Sequence, residues 1–174
     1  LIDAAFLNFV ITDIKNYFEK TLQRSLQEID LSLFTSYLTL DAGINEGKNE
    51  VQFLFVYDKE SRHLQHCQPS DLQEELNGVA FRSPYGEFSF AGVSSEGMVS
   101  REDLFMDLLS VVSDSVDVKR MIVVSFNEEY GKKVTDVLQG LKGKEVMQFR
   151  MNEPEIPVNY KWDMLAFPVM HSLG

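Results

Sequence analysis

Apolar side chains open the chain at steps of three and four: Phe6, Leu7, Val10, Ile11, Ile14, Tyr17, Phe18 and Leu22. That period is one face of an α-helix. Asn16, Glu19, Lys20 and Gln23 cover the other side, so the spacing predicts a long helix from about Leu7 to Gln27. Leu1-Ile2-Asp3 is then the tail of a strand or the lead-in to this helix. Asp30 is an N-cap for a second helix carrying Leu31, Phe34, Tyr37 and Leu38, and Gly43 suits its end. The β-rich letters of Leu38-Thr39-Leu40 make a strand the competing reading there.

The pattern then changes period. Val51 to Tyr57 is a nearly continuous apolar run, as in a strand buried on both faces. The charged run Asp58-Lys59-Glu60-Ser61-Arg62 reads as solvated. Pro69-Ser70-Asp71 predicts the start of a short helix, stopped at Asn77-Gly78. Glu87 to Val93 alternates as a strand. Ser100 caps a helix whose buried face is Leu104, Phe105, Leu108, Leu109, Val111 and Val112. Met121 to Val124 is a short buried strand, Glu129 to Leu141 a helix ended by Gly143, and Glu145 to Arg150 another strand. Met164 to Met170 reads as a final strand, confined to an edge or ended by Pro168.

Alternating helices and buried strands predict an α/β fold: three layers, a mostly parallel central sheet and helices on both faces. With 174 residues and 44% hydrophobic side chains, residues 1–174 are expected to form one domain. Residues 152–174 would be a C-terminal extension packed on that same domain.

Charge narrows the function classes. A formal net charge of −11 argues against a broad nucleic-acid surface, which needs clustered Lys and Arg. Nucleic acid stays in play only if a metal site bridges carboxylates to phosphate. No run of about 18 apolar residues exists, so no membrane span is expected. One cysteine, Cys67, cannot form an internal disulfide and is expected to fill space near a short strand. Residues Leu1 to Ile11 lack the basic flank of a signal peptide, and the expected location is cytoplasmic. The chain opens on Leu rather than Met, which admits residues upstream.

Candidate chemistry gathers where strands end and helices begin. Asp3, Asp103, Asp107, Asn127, Glu128 and Glu129 all fall there. Oxygen ligands from several such ends can converge on Mg²⁺ or Mn²⁺. Asp103 and Asn127 also suit plain capping roles. His63, His66 and Cys67 lack the second pair that a zinc site needs. No Walker loop, G-x-G-x-x-G or G-x-S-x-G is present.

The segment from Glu102 to Arg150 resembles the second half of the NYN branch of PIN-like nucleases. Asp3 stands at the family's first acidic place and Asp103 at its second. Ser125-Phe126-Asn127-Glu128-Glu129-Tyr130 is similar to its S-G-D-S-D-F-like turn, and Gly143-Lys144-Glu145-Val146 to its G-K-x-V strand. Phe126 replaces the usual Gly, and Asn127 the usual ligand Asp. The resemblance implies catalytic positions Asp3, Asp103, Asn127 and Glu129, with Asp3, Asp103 and Glu129 as ligands of Mg²⁺ or Mn²⁺. The chain also looks like small uncharacterised proteins of gut-type Bacteroidetes, a resemblance that implies no activity. Two functions follow: a metal-dependent nuclease or phosphodiesterase, or a module of PIN-like ancestry that kept the fold and lost the chemistry. The second would meet a protein partner, or a second copy of itself, through a sheet edge and the tail from Pro154 to Trp162.

Overall fold

A computed structural model describes all 174 residues. In chain order the elements are β1 (Ile2–Asp3), α1 (Ala4–Leu22), β2 (Ile29–Asp30), α2 (Leu31–Asp41), β3 (Asn49–Tyr57), β4 (Cys67–Gln68), β5 (Ala80–Ser83), β6 (Gly86–Ser94), α3 (Arg101–Asp114), β7 (Arg120–Val123), α4 (Asn127–Gln139), β8 (Glu145–Arg150), β9 (Lys161–Met164) and α5 (Ala166–Leu173). The chain is an α/β protein.

The strands β1, β3, β6 and β5 lie side by side in that order, and β7, β8 and β9 form a second row. Ile2 joins the two rows through a parallel bridge to Val124, with Asp3 N–H donating to the Val124 carbonyl at 2.8 Å. The order across the molecule is therefore β9-β8-β7-β1-β3-β6-β5. Every pairing is parallel except β5 with β6. β2 and β4 form a separate parallel pair.

Strand residues alternate between two apolar clusters, because successive side chains of a strand leave by opposite faces. Phe53 and Phe55 of β3 join Phe6, Leu7 and Ile11 of α1, Phe34 and Leu38 of α2, and Val169 of α5. Val56 of β3 joins Met121 and Val123 of β7, Phe105 and Leu109 of α3, and Val134 and Leu138 of α4.

Several elements depart from the sequence reading. α1 starts earlier because Asp3 caps it: its Oδ1 accepts from the Phe6 N–H at 3.2 Å. It ends earlier because Gln23 turns left-handed at φ 53°. Residues after Pro69 form turns, not a helix. There Asp71 accepts from the Gln73 and Glu74 N–H groups, and Arg62 grips both its oxygens at 3.0 and 2.8 Å. Met164 to Met170 is mostly helix: β9 stops at Met164 and α5 begins at Ala166.

Candidate functional site

In a parallel sheet the carboxyl ends of the strands share one rim. Asp3 ends β1, Asp58 follows β3, and Ser125 follows the β7 side of the bridge. β1 has β3 on one side and β7 on the other, so the rim beside Asp3 is where the strand order reverses direction. Open α/β sheets bind ligands in such crevices.

Arg101 fills this one. It is the first residue of α3, behind the Ser100 cap, whose Oγ accepts from the Asp103 N–H at 3.0 Å. Its guanidinium donates from Nε to Asp3 Oδ2 at 3.0 Å, from Nη1 to Asp58 Oδ2 and from Nη2 to Glu129 Oε1. The five donors of a guanidinium suit such multiple pairing. The Phe126 ring lies 5.5 Å from the guanidinium carbon, within cation–π range.

Burial grades the cluster. Asp3 is fully buried, Arg101 nearly so, and the Glu129 side chain is 47% exposed. Asp3 Oδ2 also accepts from the Tyr130 hydroxyl. A kink aims that phenol: Tyr130 has non-helical angles (φ −147°, ψ 25°) inside α4. Its buried ring packs at 5.3 Å from Phe105 of α3. Burial and then the Asp3 charge push the Tyr130 phenol far above its usual range, so it stays a proton donor. Burial works against the Arg101 charge, but Asp3, Asp58 and Glu129 outweigh it and hold the guanidinium above its ordinary value. Burial likewise opposes the charge on Asp58; hydrogen bonds from Ser61 and Arg101 overcome it and hold its carboxyl below the usual range. The sequence reading of Asp58 as part of a solvated run is corrected here: it is half-buried and pairs Ser61 and Arg101.

Behind the cluster runs a line of side-chain hydrogen bonds. Ser125 Oγ donates to Asn127 Oδ1 at 2.6 Å, and the Tyr160 hydroxyl and Arg150 donate to Gln148 Oε1 at 2.9 and 3.1 Å. Ser125 and Gln148 are fully buried. Asn127 is not the N-cap of α4: that place is Phe126, and Asn127 is the first helical residue.

Of the four residues singled out from sequence, Asp3 and Glu129 meet through Arg101. Asn127 stands beside them, facing Ser125. Asp103 is exposed at the start of α3 and makes no hydrogen bond to the cluster. No three His, Cys, Asp or Glu side chains are grouped as a metal ion requires. Asp3, Asp58 and Glu129 are hard oxygen donors, but each is engaged by the guanidinium, so as placed they do not fit Mg²⁺ or Mn²⁺. His63 instead faces Asp71 at 3.3 Å, and Cys67 is buried, its thiol pushed up to about 12 by burial.

The sequence reading gave no role to Arg101, Asp58 or Tyr130. One signal pointed to Arg101: a basic residue at the first position of a helix opposes the macrodipole, which favours acids there. Its tolerance required acidic partners from elsewhere. No helix is long and apolar enough to cross a membrane.

No curated protein and no solved structure matches the chain. A family model described as a family of unknown function (DUF6621) matches residues 1–174, and the chain belongs to that family.

Proposed function

We propose that this protein is a non-catalytic binding module with a three-layer, Rossmann-like architecture, in which Arg101 stands where a metal-dependent relative would hold its cation. One observation carries the reading: a single internal guanidinium engages Asp3, Asp58 and Glu129. A metal nuclease needs such carboxylates free to coordinate an ion and its waters. Here they are committed to a neighbour on the same chain. The net charge of −11 also disfavours a nucleic-acid ligand.

On this reading the module is of PIN-like descent, with the cation replaced by the Arg101 side chain beside Asp3 and Glu129. In the cytoplasm such a module would act through a protein partner or a second copy. The sheet edge at β9 and the preceding tail, with exposed Ile156, form the surface for it.

Thermal melting with millimolar Mn²⁺ or Mg²⁺ tests the reading. The native protein is expected to melt at the same temperature with and without the ions. Arg101→Ala, which frees the three carboxylates, is expected to melt lower and to recover part of that loss in Mn²⁺, as binding to the folded state alone requires. Metal-dependent stabilisation of the native protein, together with cleavage of single-stranded RNA, would establish the nuclease reading instead.

A further inference from the structure

Arginines in this acidic chain find acids. Arg62, Arg82, Arg101 and Arg120 each pair a carboxylate, and Arg24 lies exposed on the surface. Arg150 differs: it is half-buried at the end of β8 and pairs no acid. Its Nε donates to the Asn152 carbonyl at 3.0 Å and its Nη1 to Gln148 Oε1 at 3.1 Å, both neutral acceptors. A guanidinium carries five N–H donors, so most of these remain unused. A cation drawn partly out of water without a counter-charge pays for its desolvation, and a bound anion offsets that cost.

The sheet sets what stands beside Arg150. Val123 of β7 pairs Gln148 of β8, and the same register carried forward sets Ser125 beside Arg150. Gln148 in turn pairs Trp162 of β9. Gln148 and Arg150 are two residues apart and leave by one face, the face that α4 covers. Donors are in surplus there. Ser125 gives its proton to Asn127 Oδ1, and the Asn127 carboxamide nitrogen has no acceptor. The backbone N–H groups of Asn127 and Glu128 open α4 with no side-chain cap. Gln148 is fully buried, and its carboxamide nitrogen reaches only Ser125 Oγ, at 3.5 Å, beyond the roughly 2.7–3.2 Å of a formed N–H···O bond. The nearest buried acid, Asp3 on the far side of Ser125, is already neutralised by Arg101.

We propose that the carboxyl ends of β7 and β8 bind a small oxyanion, the phosphate or carboxylate group of a soluble molecule, with Arg150 as its counter-ion and the carboxamides of Asn127 and Gln148 as further donors. The site is separate from the Arg101 cluster and does not depend on the descent of that cluster. The net charge of −11 does not forbid it. At physiological ionic strength the field of a distant charge fades over about 8 Å, so Arg150 dominates at contact. A polyanion laid across the surface would instead meet the surrounding carboxylates directly, which restricts the ligand to a small one.

Trp162 is the single tryptophan and stands beside Gln148, so its fluorescence reports on the site. The native protein is titrated with sodium phosphate and with sodium acetate, against sodium chloride at matched ionic strength. A saturable change in the millimolar range is expected with phosphate or acetate and none with chloride. Saturation by phosphate alone assigns a phosphate ester, by acetate alone a carboxylic acid, and by both a site open to either group. Arg150→Met is expected to bind at least about tenfold more weakly, the loss of one charge-assisted hydrogen bond. Asn127→Asp keeps an acceptor for Ser125 but sets a negative charge in the site; it is expected to lose binding, and it carries the test if Arg150→Met does not fold. A response no different from that to chloride overturns the proposal, as does unchanged affinity in either folded variant.

Discussion

Asp3 uses its two oxygens for different tasks. Oδ1 caps α1, and Oδ2 takes Arg101 and Tyr130. Removing Arg101 leaves a fully buried carboxylate without its counter-charge, a defect worth about 3–5 kcal/mol. Arg101→Ala is thus expected to lose about 3 kcal/mol in urea unfolding, while Glu129→Gln, at the half-exposed end, stays within about 0.5 kcal/mol. Equal losses in the two variants would refute this ranking of the contacts. Asp58 sets an acid limit. Its folded pKa lies below its unfolded value, so the unfolded chain binds more protons as pH falls between the two. The stability it contributes is present above the unfolded value, about 4, and is lost as pH falls through the folded one. Urea midpoints measured from pH 5 downward are expected to fall less steeply in Asp58→Asn than in the native protein. An unchanged slope would show that Asp71, also held low by Arg62, carries that limit alone. Asp3 and Glu129 were legible from sequence because polar residues at strand ends stand out. Arg101 was not, because a sequence does not show which distant acids answer a base.

At the scale of elements, α4 carries the site. Its first turn holds Asn127 to Glu129, and the kink at Tyr130 turns the phenol towards Asp3. Gly131 makes that kink possible. A Cβ there would lie 2.9 Å from the Asn127 Cβ, an atom fixed to the backbone. Gly131→Ala is expected to cost about 1–3 kcal/mol by overpacking and to weaken the Tyr130 contact with Asp3. Calorimetry paired with the same substitution in Tyr130→Phe checks it: simple additivity of the two losses would mean the kink and the hydrogen bond are independent. Periodicity found α1 to α4 but misassigned α5. Pro168 suggested a strand end, yet it is the third residue of an eight-residue helix. First-turn N–H groups have no intrahelical partner, so a Pro there forfeits nothing.

The whole molecule shows where sequence reading stops. Alternating periods implied α/β and a mostly parallel sheet, and both are present. They did not reveal that the first strand lies between β3 and β7, because strand order depends on contacts between segments far apart in the chain. The ties at Asp3 span 98 residues to Arg101 and 127 to Tyr130. Closing loops of that length costs entropy before any contact repays it, and such topologies fold slowly. The rim is therefore expected to assemble after the barrier to folding has been crossed. In stopped-flow measurements, Tyr130→Phe should speed unfolding and leave refolding nearly unchanged; a matching slowdown in refolding would contradict this. A cluster completed so late is also the first to be released when the chain begins to come apart, so the acidic rim and the lifetime of the native state are governed by the same few atoms.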